Sequence, residues 1–193
     1  DDLLIVGSPD DRDLSGDLPD TGMQSGAVVV YQRGDTGWSL LKRLEKPELQ
    51  NSRADGDLFG KAIAYNGNWL VVGAPGAGEA FVSDANFANP QPLLINDGSG
   101  SVGNNFGIAV DVSNGRIAVG ATHADVNGTD NGHVYIFSEN AGSFAQTTAI
   151  ASTQLPGITG ITANGSDFGA AVALENNRLV IGAPHQNSPM TSQ

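Results

Sequence analysis

Two stretches of the chain carry oxygen-bearing side chains at a spacing that suits a bound cation. They run over residues 10–17 and 125–130. Alternating carboxylate, amide and hydroxyl oxygens, with a glycine for a sharp turn, resemble the front of a calcium loop, because Ca²⁺ takes about six to eight oxygen ligands. The candidate ligands are Asp10, Asp11, Asp13, Asp17, Asp125, Asn127, Thr129 and Asp130.

Neither stretch ends in the bidentate Glu that completes a calcium loop. Asp, Asn, Gly and Ser are also the residues that turns use, because their side chains bond to nearby backbone or tolerate positive φ. Two interpretations therefore stay open for both stretches, a calcium site or ordinary turns. Calcium is the one cofactor that the sequence suggests.

Catalytic patterns are absent from the sequence. It contains no Gly-x-Ser-x-Gly, no His-Glu-x-x-His and no phosphate-binding glycine loop ahead of a helix. It also has no cysteine, which excludes disulfides and thiolate zinc sites. His123, His133 and His185 lack partner ligands at metal spacing, which favours polar residues at loop edges. We therefore expect a protein that is not an enzyme.

The charge balance excludes further function classes. The net charge is -12, from 21 acidic and 9 basic residues among 193. Without a basic patch the chain cannot displace counterions from phosphates, so we expect no nucleic-acid partner. No run of about 18 apolar residues is present, so we expect no membrane insertion.

One short pattern occurs four times and indicates the architecture. A second pattern, which starts with Phe-Gly, precedes three of the four copies. The separation is the same from Phe59 to Gly73, from Phe106 to Gly120 and from Phe168 to Gly182. The four copies are LLIVGSP (3–9), WLVVGAP (69–75), RIAVGAT (116–122) and RLVIGAP (178–184).

Each repeat has the pattern of paired β-strands. In FGIAVDV, Ile108, Val110 and Val112 share one face by period-2 alternation, and the opposite face carries small residues or Asp111. The second segment is almost continuously apolar, which predicts a strand buried on both faces. Between the two segments lie Asn-Gly-Asn (66–68), Asn-Gly (114–115) and Asn-Asn (176–177), which predict tight hairpin turns.

Two more strands follow each pair. The third is expected over residues 27–31, 79–82 and 133–137, and the fourth over 38–44, 91–95 and 144–149. Four antiparallel strands that recur along the chain, with connections of variable length between the copies, are typical of β-propeller blades. A two-layer sandwich would not repeat one strand pair at a constant offset. The predicted fold class is therefore all-β, a propeller of four-stranded antiparallel blades.

Phe-Gly followed by Val-Gly-Ala-Pro resembles the FG-GAP repeat of integrin α-subunit propellers and many bacterial surface proteins. The resemblance implies a seven-bladed ring with the Phe-Gly strand innermost. Integrin-type repeats carry an Asp-rich calcium loop between the two strands, and here only the short Asn turns stand there. The family's calcium site is therefore not carried over.

The resemblance covers nearly the whole chain as one propeller segment, 1–193, of about three and a half blades. We expect it to be incomplete at both ends, with more protein or a partner chain beyond. The blade parts are expected at about 1–50, 57–97, 104–151 and 167–193.

The expected function is a secreted or cell-surface scaffold that binds protein or polysaccharide through its loops. One alternative is a structural module of a surface layer, sheath or fibre, self-assembled through open blade edges. Another is part of a propeller lyase or hydrolase with active residues in other blades. The tripeptide Arg33-Gly34-Asp35 matches an adhesion motif, but it falls where a hairpin turn is expected.

Overall fold

The computed structural model describes residues 2–12, 24–47, 53–88, 90–96, 103–124, 132–152 and 166–185. Within these ranges the chain forms 13 strands and no α-helix, so the all-β prediction is confirmed. The strands are β1 (Leu3–Ser8), β2 (Ala27–Gly34), β3 (Gly37–Glu45), β4 (Ala62–Tyr65), β5 (Trp69–Ala74), β6 (Glu79–Asp84), β7 (Gln91–Pro92), β8 (Phe106–Ser113), β9 (Arg116–Ala121), β10 (His133–Asn140), β11 (Ser143–Ala151), β12 (Ala171–Glu175) and β13 (Arg178–Gly182).

The strands form four antiparallel sheets in chain order. The second sheet is β4-β5-β6-β7 and the third is β8-β9-β10-β11, so the predicted four-stranded unit is confirmed twice. The first sheet, β1-β2-β3, begins with a strand of the Val-Gly-Ala-Pro type, and the fourth is the pair β12-β13. The strands that begin the second, third and fourth units, β4, β8 and β12, lie beside one another.

The short Asn turns close the first hairpin of the second, third and fourth units as predicted. Asn114 and Asn176 have positive φ, 48° and 53°, which asparagine adopts more readily than most residues. In the second sheet the side-chain oxygen of Asn66 accepts hydrogen bonds from the backbone N–H groups of Asn68 and Trp69, at 3.0 and 2.9 Å. These turns leave no room for an Asp-rich loop.

Three strands begin or end three residues inside their predicted extent. β4 and β12 begin at Ala62 and Ala171 rather than at Phe-Gly. Gly60 and Gly169 have φ of 90° and 93°, which bends the backbone out of the extended conformation before the ladder starts. The predicted strand 91–95 shortens to Gln91–Pro92, although the backbone N–H of Leu93 still donates a hydrogen bond to the Ala80 carbonyl oxygen at 2.8 Å.

The repeated glycines mark where successive sheets touch. A Cβ atom added at Gly73 would lie 1.9 Å from the carbonyl oxygen of Gly107 in the next sheet. The same clash arises at Gly7 with Gly60, at 2.1 Å, and at Gly120 with Gly169, at 1.9 Å. The strands β1, β5 and β9 therefore each receive the backbone of the following Phe-Gly turn, and only glycine leaves space for it.

Apolar side chains fill the three spaces between consecutive sheets. Between the first and second sheets, Val28 and Val30 pack with Leu70, Val72 and Phe81. Equivalent clusters lie between the second and third sheets and between the third and fourth. The sheets thus stack face to face around apolar layers.

The outermost sheets are buried on one face only. Val180 is 67% exposed, whereas Val71 and Ala118, at the same repeat position, are fully buried. Leu4 is 43% exposed, and its counterpart Leu70 is fully buried. The predicted two-sided burial of the Val-Gly-Ala-Pro strand therefore holds for β5 and β9 but not for β1 and β13, which have no sheet against their outer faces among the described residues.

Candidate functional site

The sheets have two ends with different connections. At one end the strands are joined by tight hairpins, such as Asp35–Thr36 and Ala141–Gly142. At the opposite end, which we call the loop end, the second strand of each unit finishes, the third begins, and the chain crosses to the next sheet. The longer connections, such as residues 9–26 and 152–170, all leave and re-enter the sheets there.

An ionic network lies at the loop end of the first sheet. Arg43 pairs with Asp11 at 2.6 Å and with Glu45 at 3.2 Å, and Glu45 also pairs with Arg53 at 2.7 Å. Burial lowers the pKa of Arg43, but hydrogen bonds and charge from Asp11 and Glu45 outweigh that effect and raise its pKa above the ordinary value. The network ties the turn after β1 to the end of β3.

Beside that network lies a buried ammonium group. Lys46 follows β3 and is 0% exposed. Its Nζ lies 2.9 Å from Glu79 Oε2 and 3.3 Å from Asp57 Oδ2, and Asp57 also accepts a hydrogen bond from the backbone N–H of Ala54 at 2.8 Å. Glu79 opens β6 and Asp57 precedes Phe59, so one lysine of the first sheet holds two carboxylates of the second.

Two histidines stand at equivalent places on the loop end. The ring Nδ1 of His185 is hydrogen-bonded to the Asp167 carboxylate, and the ring Nδ1 of His123 lies 3.2 Å from the Asn105 amide nitrogen. Asp167 and Asn105 each directly precede the Phe of a Phe-Gly turn. His133 instead is buried, with its Nδ1 3.2 Å from the Ala124 carbonyl oxygen. The histidines do not converge on one point, and each has its own local partner.

The candidate calcium ligands are only partly within the described residues. Asp10 and Asp11 lie at the turn after β1. There the Asp11 carboxylate already binds Arg43 and accepts the backbone N–H of Arg12 at 2.9 Å. Among the residues that the structure describes, no group of three His, Cys, Asp or Glu could hold a metal. Asp13, Asp17, Asp125, Asn127, Thr129 and Asp130 lie outside those residues.

The Arg-Gly-Asp tripeptide sits at the hairpin end rather than the loop end. Arg33 and Gly34 finish β2, and Asp35 occupies the turn to β3, as the sequence predicted. Arg33 pairs with Asp2 at 3.3 Å, and both side chains are exposed.

Sequence reasoning missed two features of the sheets. The Lys46 pairing was not foreseen, because its carboxylate partners, Asp57 and Glu79, belong to segments well beyond it in the chain. A glycine with positive φ also stands directly before the third strand of the first, second and third units, at Gly26, Gly78 and Gly132. That signal was readable from Gly-Ala, Gly-Glu and Gly-His ahead of the third-strand segments.

Antiparallel four-stranded sheets that stack face to face, with their first strands side by side, define a β-propeller architecture. The family model described as FG-GAP repeat matches residues 93–137. The matched segment includes the third unit from its Phe-Gly turn into β10. The predicted resemblance to the FG-GAP repeat is therefore confirmed for this segment.

Beyond the family model, the chain is similar to solved structures but not to curated proteins. No curated protein matches the chain. Among solved structures, the chain is similar to the N-terminal domain of Nup159, with 15% identity and a TM-score of 0.39. The match covers 77% of this chain and 34% of that one, so the chain spans about a third of that structure's length. Within the described residues, no helix has the length and apolar character needed to cross a membrane.

Proposed function

We propose that the protein is a non-enzymatic scaffold, secreted or displayed at a cell surface, whose loop end binds a protein or a polysaccharide. The observation that carries the proposal is that the two ends of the sheets have different connections. Stacked apolar layers and glycine contacts hold the sheets rigid, and the longer, acidic connections leave from a single end. Binding loops held on a rigid sheet scaffold are a common arrangement in all-β recognition domains.

Polar groups at the loop end support the same proposal. The exposed side chains of Asp10, His123 and His185 occupy the same position, three residues after the repeat glycine, in three different units. In a stacked array these positions follow one another along one rim. The rim offers hydrogen-bond donors and acceptors of the kind that sugar hydroxyls and peptide groups bind.

The test is a binding screen with paired rim variants. The full chain is passed over a panel of immobilised extracellular proteins and neutral and acidic polysaccharides, and the binders are titrated. Asp10→Ala combined with His123→Ala and His185→Ala is expected to weaken binding by about tenfold, since several polar contacts are lost together. A matched hairpin-end variant, Asp35→Ala with Ser143→Ala and Glu175→Ala, is expected to bind as the unmodified chain does. Equal loss in both variants, or no binding to any member of the panel, would refute the proposal.

Self-assembly is a second candidate function, favoured by the open outer faces. Leu4, Trp38 and Leu40 are 43%, 49% and 62% exposed on the first sheet, and Val180 is 67% exposed on the fourth. Exposed apolar patches on stacked sheets mark interaction sites. In this candidate function, the chain is a module of a layer or fibre in which sheets of neighbouring molecules cover these faces.

A further inference from the structure

A pocket opens at the hairpin end between the second and third sheets, both of which have four strands. It has a volume of about 180 Å³. Its lining includes Trp69, Val82, Asp84 and Gln91 of the second sheet and Gly142, in the turn between β10 and β11 of the third. The pocket is smaller than the sites of drug-sized ligands, which begin at about 300 Å³, so it suits one small ring.

Strand pairing places four side chains of the second sheet on one face. Trp69 lies opposite Asp84, and Val82 lies opposite Gln91. Val82 and Asp84 are two residues apart on β6, so their side chains share a face. Trp69 and Val82 pack with side chains of the third sheet. The face turned toward that sheet thus carries an indole ring, an apolar side chain, a carboxylate and an amide side by side.

The polar groups of this face keep bonding capacity for a ligand. The Asp84 Oδ1 atom accepts the backbone N–H groups of Asn86 and Ala88, at 3.0 and 3.2 Å. These bonds fix the carboxylate but leave its Oδ2 atom without a hydrogen bond among the described residues. The Gln91 amide is exposed and also has no partner within the described part of the chain. A charged acceptor and an amide that both donates and accepts therefore line the pocket.

The turn that holds Asp84 is strained. Phe87 has a φ of 57° and is 3% exposed, and a bulky residue rarely adopts this left-handed conformation. Such strain persists only where surrounding contacts enforce it, and it is concentrated at binding and active sites. Here the Phe87 N–H donates to the Asp84 carbonyl oxygen at 2.9 Å, in addition to the bonds of the Asp84 side chain. The strained turn thus fixes one side of the pocket, where Ala88 lines it.

The indole ring is particular to this pocket and is not a requirement of the repeat. Its position, four residues before the repeat glycine, holds Leu3, Arg116 and Arg178 in the other units. Phe144 of the third sheet meets Trp69 edge-on, with ring centroids 5.1 Å apart. That contact holds the indole in one orientation, while the ring remains only partly buried.

We propose that this pocket binds one neutral pyranose unit of a sugar chain. The C–H groups on one face of a pyranose pack on the indole of Trp69, whose face carries partial negative charge. Its hydroxyl groups donate to the Asp84 carboxylate and exchange hydrogen bonds with the Gln91 amide. The carboxylate disfavours sugars that carry an acid group, because like charges repel. This site lies at the hairpin end, so it does not depend on the function proposed for the loop end.

The test titrates the full chain with the methyl glycosides of glucose, galactose and mannose and follows tryptophan fluorescence. The chain has two tryptophans, so Trp38→Phe makes Trp69 the only reporter. At least one glycoside is expected to give a saturable change with a dissociation constant of about 1 to 10 mM, because so small a ligand makes few contacts. The matching uronate, with a carboxylate in place of the primary hydroxyl, is expected to bind at least about tenfold more weakly. No saturable change with any glycoside, or equal affinity for the uronate, overturns the proposal.

Variants of the lining locate the binding. Gln91→Ala removes the amide and is expected to weaken the glycoside by at least about fivefold. Thr148→Ala, which lies opposite Ile136 as Gln91 lies opposite Val82, is the matched control and is expected to change affinity by less than about twofold. Asp84→Asn keeps an oxygen for the turn but removes the charge, so the preference for the neutral sugar over the uronate is expected to fall. Equal weakening by the first two variants, or an unchanged preference in the third, overturns the proposal.

The loop-end triple variant separates this site from the proposed function. Asp10→Ala combined with His123→Ala and His185→Ala is expected to bind the glycoside as the unmodified chain does, because these residues lie at the opposite end of the sheets. Loss of glycoside binding in the triple variant would place the sugar site at the loop end and overturn this proposal. Failure of either proposal therefore leaves the other testable.

Discussion

Lys46 shows how single residues connect neighbouring sheets. Its ammonium group is fully buried between the carboxylates of Asp57 and Glu79. Burying a charge is unfavourable unless it is paired, and here the pairing joins the end of β3 to the start of the second sheet. At the equivalent place after β11 stands Ser152, which is also fully buried. A buried polar residue thus follows the last strand of both the first and the third sheets, but it is charged only after the first sheet.

Replacement of Lys46 tests this connection. Lys46→Met leaves two carboxylates buried without their cation, so we expect the free energy of unfolding to fall by about 3 to 5 kcal/mol. Denaturant titration followed by circular dichroism measures the change. Lys61→Met, at an exposed position, is the matched control and is expected to cost less than about 0.5 kcal/mol.

Neutralising the partners separates charge from packing at this site. When Glu79→Gln and Asp57→Asn are added to Lys46→Met, both side chains are neutral, and we expect part of the lost stability to return. If the triple variant is no more stable than Lys46→Met alone, the ion pairs are not what the lysine contributes.

At the scale of the strand, the constant spacing of the repeat has a structural cause. Phe-Gly and Val-Gly-Ala-Pro keep one fixed separation because they form a single hairpin with a short turn. The glycines at its open end then bring the next sheet into backbone contact. Gly107, with φ 94°, turns its carbonyl onto Gly73.

A methyl group at that contact should be poorly tolerated. In Gly73→Ala the new Cβ would lie 1.9 Å from the Gly107 oxygen and 2.8 Å from its carbonyl carbon, both backbone atoms that cannot rotate away. We expect a loss of about 3 kcal/mol or more in the free energy of unfolding, at the upper end for overpacked sites.

Gly182→Ala is the matched control, because no Phe-Gly turn covers Gly182 among the described residues. Its Cβ would meet the Ala171 methyl group at 3.2 Å, so we expect a loss near or below about 1 kcal/mol. Thermal unfolding of both variants measures the difference. Similar losses at the two positions would show that the inter-sheet contact does not set the requirement for glycine.

The strand pairs could be predicted from the sequence, but the contacts between neighbouring sheets could not. Alternation and turn residues place β8 and β9 within one residue of the prediction, because both depend on neighbours in the chain. The Lys46 pairing depends on two distant segments meeting, and no local pattern encodes it. The open faces of β1 and β13 likewise differ from the prediction, because burial on the second face requires another sheet.

At the scale of the molecule, the two outer faces should control association. Leu40 stands opposite Tyr31, which stands opposite Leu4, so these side chains form one row on the outer face of the first sheet. Leu40→Asp is expected to lower self-association at high concentration, because it places a charge in that apolar row. Sedimentation velocity over a concentration series measures it. Lys42→Asp, which lies outside that row on β3, is the control, and an equal effect of both variants would point to net charge instead.

Calcium binding is the remaining prediction for the whole molecule, and it tests the acidic loops directly. A ligand that binds only the folded state stabilises it by about 2.7 kcal/mol at a hundred times its dissociation constant. For a domain of this size that corresponds to a rise in melting temperature of about 5 to 10 °C. We expect such a rise when calcium replaces a chelator, and its loss in Asp125→Asn combined with Asp130→Asn. Asp35→Asn at the hairpin end is expected to keep the rise. A melting temperature that calcium leaves unchanged would identify both loops as turns, and the rim of Asp10, His123 and His185 would then bind its partner without an ion.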